Sequence, residues 1–201
     1  MRIFRCLVVT TSLLLGIIPV TAGADEIGPL FPTSAVTELL ERARSEKSVV
    51  KNRRYAALLN YRQPSWEPRF YLFDIDSGKA IASYVVAHGR GSDPDHDGFA
   101  TKFSDEHESH MSSLGFFLTG DTYQSESAGH GLSLRLNGLS ETNQNSTARN
   151  IVIHGNWYVE PEVLATQHKP GRSYGCMVFS AADRNAVVEK LKDGALIYAV
   201  Y

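Results

Sequence analysis

The stretch Phe70-Tyr71-Leu72-Phe73-Asp74-Ile75-Asp76-Ser77-Gly78-Lys79-Ala80 decides the fold. Its first six residues put bulk on both alternating faces, Asp74 apart, as in a strand covered on two sides. Asp76-Ser77-Gly78-Lys79 is a turn sequence, because these residue types accept the backbone angles of a tight reversal. Residues 80–87 then return as the second strand of a hairpin. Upstream, residues 55–61 are apolar and aromatic, and Pro64-Ser65-Trp66-Glu67-Pro68 separates them from the hairpin. Downstream, short strands are predicted around 114–119, 132–136, 150–154 and 195–201. Helical spacing is confined to 33–44, where Ser34 can cap, and to 160–166 and 181–191. Residues 89–112, rich in Asp, Ser and His, read as a long loop, and such loops are usually functional or disordered. The predicted class is mainly β with a few short helices. It comprises one β-rich domain over 55–201, preceded by an N-terminal helix and connector over 25–54.

Hydrophobic residues make up 43% of the chain and charged residues 21%, which suits a packed core. The formal net charge is -2 and no basic stripe is visible. Nucleic acid is therefore not an expected partner, since duplex binding needs clustered cations to displace counterions. Residues 1–24 differ in kind. Arg2 and Arg5 precede an uncharged apolar run over 6–20, then Ala22-Gly23-Ala24 and the acidic Asp25-Glu26. That order predicts a cleavable export signal. The run falls short of the ~20 residues of a spanning helix, so no stable membrane anchor is expected after cleavage. Of the two cysteines, Cys6 would leave with the signal, and Cys176 would enter an oxidising compartment unpaired.

Two segments carry chemistry. In Ile151-Val152-Ile153-His154-Gly155, three β-branched residues make a buried strand that delivers a histidine at its end. In Gly171-Arg172-Ser173-Tyr174-Gly175-Cys176, glycines permit a tight turn with positive φ. Such a turn can aim consecutive N–H groups of the Ser173–Cys176 run at one developing oxyanion. A cysteine attacks as thiolate, so the pairing predicts a Cys176 that reacts faster at neutral pH than a free thiol of pKa ~8.5. On these residues alone a second reading stands beside the first: an inert buried thiol and a structural histidine.

His154-Gly155 followed by Ser173-Tyr174-Gly175-Cys176 resembles the His…Ser-x-Gly-Cys signature of YkuD-type L,D-transpeptidases. The resemblance, to the murein L,D-transpeptidase catalytic domain branch, covers roughly residues 71–201. It includes Val86-Ala87-His88-Gly89, Ser109-His110-Met111-Ser112-Ser113-Leu114-Gly115-Phe116 and Thr119-Gly120-Asp121-Thr122-Tyr123. It implies a β-rich fold with the thiol in a channel, no cofactor, and peptidoglycan stem peptides as substrate. Cys176 would attack the carbonyl of the third stem residue and expel the terminal D-alanine. His154 would move the protons, the N–H groups of Tyr174, Gly175 and Cys176 would hold the oxyanion, and Ser173 would support the turn or orient the pair. His110, Ser112, Tyr123, His130, Gly155 and Arg172 would lie on the substrate side. The implied location is the periplasm or elsewhere in the bacterial cell envelope. Two alternatives remain open: a hydrolase (L,D-carboxypeptidase or amidase) on the same Cys–His site, and a catalytically silent wall-binding module.

Two positions depart from the pattern. Val178 stands where many such enzymes have arginine or asparagine, and Tyr174 where histidine is frequent. Arg172 is the replacement the sequence offers for binding a substrate carboxylate. No metal is expected: His107 and His110 lie three apart, and His88, His96 and His130 follow no zinc-ligand spacing. His96, His107 and His168 read as surface loop residues. Asp93, Asp95, Asp97 and Gly98 resemble the start of a calcium loop, but Ser104 occupies the place of the closing glutamate. They read as a solvated acidic loop.

Overall fold

Strands β1 (Tyr55–Asn60), β2 (Phe70–Asp74) and β3 (Ala80–Tyr84) form an antiparallel meander in the computed structural model, which describes residues 32–201. The expected signal 1–24, Cys6 and the start of the 25–54 connector lie outside the described residues. The remaining strands are β4 (Gly115–Gln124), β5 (Leu132–Gly138), β6 (Val152–Gly155), β7 (Met177–Phe179) and β8 (Leu196–Val200). All eight join one sheet in the order β3-β2-β1-β8-β4-β5-β6-β7. Neighbours are antiparallel except β1–β8 and β6–β7, which run parallel. Beyond β3 the chain crosses to the far edge, where the Ala87 N–H donates to the Val178 carbonyl at 2.9 Å. The sheet thus nearly closes on itself, which leaves few unpaired edge groups.

Alternation along the strands builds two packed layers. From β1, Ala57 and Leu59 point inward with Phe70, Leu72, Phe117, Ile153, Met177 and Phe179, and α3 (Ala181–Leu191) seals this layer with Val187, Val188 and Leu191. Ala56 and Leu58 point the other way with Tyr71, Phe73 and Leu196, and α1 (Thr33–Ser45) covers them with Ala35, Leu39, Leu40 and Ala43. The helix is further held by Arg44, whose Nε and Nη2 donate to the Ile75 carbonyl at 3.1 and 2.5 Å.

The structure adjusts several boundaries. Helix α1 starts at Thr33 after Pro32, and no side chain caps it, so Ser34 lies inside the helix instead of at its cap. The short second helix, α2, runs Pro161–Gln167, with proline at the first position where its missing N–H costs nothing. Strand β4 continues to Gln124, well past the predicted 119, through a register irregularity between Thr119 and Thr122. The polar Gly120-Asp121 pair hides that continuation from a hydrophobic pattern. Strand β7 is too short to show any period. Among the described residues, no helix is long and apolar enough to cross a membrane.

Candidate active site

Strands β6 and β7 bring Cys176 and His154 to one face. They are parallel, with Ile153 opposite Met177 and His154 opposite Val178. Ile151, Ile153, Met177 and Phe179 fill the inner core. Strand alternation therefore sends His154, Val178 and Cys176 outward, where Val178 packs with Ala87 and Val159. Both side chains border one cavity of about 480 Å³.

The turn before Cys176 depends on Ser173 and Gly175. Ser173 Oγ donates to the Cys176 carbonyl at 2.8 Å and accepts the Gly175 N–H at 3.1 Å. Gly175 has φ +120°, and a Cβ there would lie 2.7 Å from the Met111 carbonyl oxygen. No other residue fits. The turn hangs from the segment after β3: Ser173 N–H donates to the His88 carbonyl and Arg90 N–H to the Ser173 carbonyl, both at 2.8 Å. A Cβ on Gly89 would stand 2.4 Å from the His110 carbonyl oxygen and 3.0 Å from the Gly175 nitrogen, so the segments can meet only with glycine at 89. The Gly175 N–H is taken by Ser173 Oγ and is not free for a further acceptor.

His154 Nδ1 lies 2.8 Å from the Gly155 carbonyl. A carbonyl only accepts, so the proton sits on Nδ1 and the lone pair on Nε2. The His130 ring stacks on His154 with centroids 3.7 Å apart. Burial lowers the His154 pKa to about 4, against the pull of the Gly155 carbonyl and with the help of His130 and Arg184. Burial also pushes the Cys176 thiol above its ordinary range, more than the Val152 N–H and the Arg149 charge bring it back. The thiol donates to the Asn150 carbonyl at 3.6 Å. The resting pair is therefore neutral thiol and neutral imidazole. This reverses the expectation of an activated thiolate, and its cause is burial. The pair can still act if proton transfer accompanies attack, which apo geometry often leaves unmade.

Under the turn lies a buried polar network that the sequence did not reveal. Arg69 is completely buried; its Nε and Nη2 donate to the Val86 carbonyl and its Nη1 to Gln63. Nη2 also reaches His88 Nδ1 at 2.8 Å, and His88 Nε2 lies 3.1 Å from Asp93 Oδ2. Nδ1 accepts, so Nε2 carries the proton and donates to Asp93. Burial and the adjacent Arg69 charge lower His88 to about 4, and burial lowers Arg69 to about 10. Burial alone would raise Asp93, but hydrogen bonds from His88, Gly98 and Asp97 hold it below the carboxylate range. The expected solvated acidic loop is thus wrong at Asp93, which is 1% exposed and ties the loop together through the Asp97 and Gly98 N–H groups. Among the described residues no group of three His, Cys, Asp or Glu is arranged to hold a metal ion.

The other expected residues divide. His130, Arg172, Ser173 and Tyr174 line the cavity with Cys176 and His154. The His110 ring lies tilted against Tyr174 with centroids 4.4 Å apart and lines a neighbouring recess beside Arg149. Gly155 is buried, and its main chain serves the two histidines, accepting from His154 and donating to the His130 carbonyl. Ser112 is fully buried, where it accepts the Gly89 N–H at 3.0 Å. Tyr123 lies under Arg135, 4.5 Å from its guanidinium, and is not among the cavity's lining residues. His96, expected on the surface, lines the cavity with a buried, unpartnered Nε2. Arg90, Asn156 and Tyr158 also line it and gave no sequence signal. Arg149 was missed as well. Its guanidinium holds the Ser104, Met111 and Ser113 side of the loop and sets a positive charge near the thiol.

No curated protein matches the chain. Among solved structures, an L,D-transpeptidase from Mycobacterium smegmatis is similar at 11% identity, covering 74% of this chain and 59% of its own, with TM-score 0.44. One from Mycobacterium tuberculosis H37Rv gives 13% identity, 73% and 57% coverage, and TM-score 0.44. One from Stackebrandtia nassauensis gives 14%, 87%, 67% and 0.44. The chain spans less than two-thirds of the length of either mycobacterial protein. The L,D-transpeptidase catalytic domain family model matches residues 31–200, which takes in helix α1 and the whole sheet. The chain belongs to the L,D-transpeptidase catalytic domain family.

Proposed function

We propose that this protein is an exported cysteine acyltransferase acting on peptidoglycan stem peptides, with Cys176 as nucleophile and His154 as base. The observation that carries the reading is the sharing of one cavity by Cys176 and a His154 whose Nδ1 proton is fixed on the Gly155 carbonyl. That tautomer offers Nε2 as acceptor at the face where the thiol stands. Attack by Sγ on the carbonyl of the third stem residue passes the thiol proton to His154 Nε2. The oxyanion is met by the N–H groups of Tyr174 and Cys176. Collapse breaks the peptide bond, and the departing D-alanine amine takes the proton from His154, leaving a thioester on Cys176. An amine of a second stem then attacks the thioester, gives its proton to His154, and restores the thiol as the new amide forms. Ser173 acts by holding the turn, and His130 by backing the imidazole.

The test is muropeptide analysis of tetrapeptide-rich murein treated with wild type and with Cys176→Ala. New cross-links made only by the wild type support transfer. Shortened stems without cross-links assign the same site to hydrolysis. Identical products from both proteins refute the enzymatic reading and leave a wall-binding module.

A further inference from the structure

The cavity beside Cys176 is lined by two arginines and three histidines, and none of its lining residues is a carboxylate. The arginines are used differently. Arg172 Nη1 donates to the main-chain carbonyls of Asp93 and Pro94, so its guanidinium ties the 93–98 loop to the nucleophile turn. Arg90 has no carboxylate partner among the described ion pairs. Its guanidinium lies over the Tyr174 ring, 4.5 Å from the centroid, and Tyr174 is itself 62% exposed. The Arg90 Nη2 meets His110 Nδ1 at 3.1 Å, and the His110 ring packs against Tyr174 too. A guanidinium backed by an aromatic face loses little freedom when it binds and keeps its edge for bidentate hydrogen bonding.

The position of Arg90 relative to the thiol is fixed by the main chain. Its N–H donates to the Ser173 carbonyl, and Ser173 Oγ donates to the Cys176 carbonyl, each at 2.8 Å. Val178 is fully buried and apolar, so it offers a substrate no charge.

We propose that Arg90, braced by Tyr174 and His110, is the anion-recognition residue of the cavity and binds a carboxylate of the peptide presented to Cys176. The proposal rests on the reading of Cys176 as nucleophile and names the group that selects its substrate. A free carboxylate fits because the guanidinium edge matches it with two parallel N–H···O bonds.

The test compares alkylation of Cys176 in the full chain by iodoacetate and by iodoacetamide, at pH 9 and low salt, followed at Cys176 by peptide mass spectrometry. The two reagents differ by one carboxylate, and their rate ratio cancels any change in intrinsic thiol reactivity. Arg90→Gln is expected to lower the iodoacetate-to-iodoacetamide ratio about three- to tenfold, as loss of one nearby, partly screened charge dictates. Arg90→Lys should keep part of the preference, and Arg172→Gln, whose charge also lines the cavity but is held by the Asp93 and Pro94 carbonyls, should lower the ratio less than Arg90→Gln does. Added salt should erase the difference between wild type and Arg90→Gln. An unchanged ratio in Arg90→Gln, or an equal fall in Arg172→Gln, overturns the proposal. Alkylation needs no murein, so the two readings fail separately. An unchanged ratio in a murein-active protein removes only the role of Arg90. A shifted ratio in a murein-inactive one keeps the anion site and removes the transferase.

Discussion

His154 and His88 are held neutral by burial, each with a pKa of about 4 in the folded protein. Unfolding returns both to an imidazole value of ~6.5. The unfolded chain therefore binds more protons over this window, and stability must fall as pH falls from 6.5 toward 4. Well above pH 6.5 both groups are neutral in either state and their contribution is complete. The linkage relation gives a loss of about 2 kcal/mol per histidine at pH 5 and about 3 kcal/mol at pH 4. Two such groups remove about 4 kcal/mol by pH 5, a large part of a total that is typically 5–15 kcal/mol. The lowered carboxylates Asp74 and Asp93 act only below the ordinary carboxylate range, so the loss between pH 6.5 and 5 belongs mainly to imidazoles. The assay is urea unfolding at pH 7, 6 and 5 for wild type and His154→Gln. Glutamine cannot titrate, so the variant should lose about 2 kcal/mol less than wild type between pH 7 and 5, whatever its stability at pH 7. Parallel losses in the two proteins would refute the assignment of His154 as a buried neutral base.

Other consequences are read more directly. Iodoacetamide labelling of Cys176 should still be climbing at pH 9, because burial raises the thiol; a plateau near pH 7 would reinstate a resting ion pair. Gly175→Ala places a Cβ 2.7 Å from the Met111 carbonyl at φ +120°. It should cost about 1–3 kcal/mol in thermal or urea unfolding and abolish turnover, and a protein of wild-type stability would contradict this. Ser173→Ala leaves the Cys176 carbonyl and Gly175 N–H without their partner, at about 1–3 kcal/mol. The murein reaction should then slow more than the stability loss explains, and Ser173→Thr should restore part of it. Leu39→Ala, at a fully buried site under the sheet, should cost about 2–5 kcal/mol while leaving Cys176 alkylation unchanged.

The fold was legible where local periodicity and burial coincide. The 70–84 hairpin, three residues shorter than the expected 87 because Ala87 turns to Val178, and helices α1 and α3 were legible against their turns. Strand β7 has three residues and follows a glycine turn, so nothing in Met177–Phe179 marks it as a strand until β6 lies beside it. The Cys176 and His154 pair was legible through its resemblance, because a glycine turn and a strand-end histidine leave marks in sequence. Arg149 and Arg90 left none. Their significance comes from contacts with loops far along the chain, and an isolated arginine in a polar stretch ordinarily reads as a solvated charge.

The Arg69–His88–Asp93 network likewise leaves no mark in the sequence, and the turn needs it. A backbone held at φ +120° beside two close main-chain approaches persists only where its surroundings over-determine it. Apolar packing resists compression but does not fix the direction of a carbonyl. Hydrogen bonds do, and the carbonyl of His88 receives the Ser173 N–H on which the turn hangs. His88 is itself clamped on both ring nitrogens, by Arg69 and by Asp93, inside a region too dry for water to substitute. A fully buried arginine is expensive, and removing one partner of such a set leaves an uncompensated charge. The network therefore adds more rigidity than stability, and it delivers that rigidity to the segment that carries Arg90 on one side and supports Cys176 on the other.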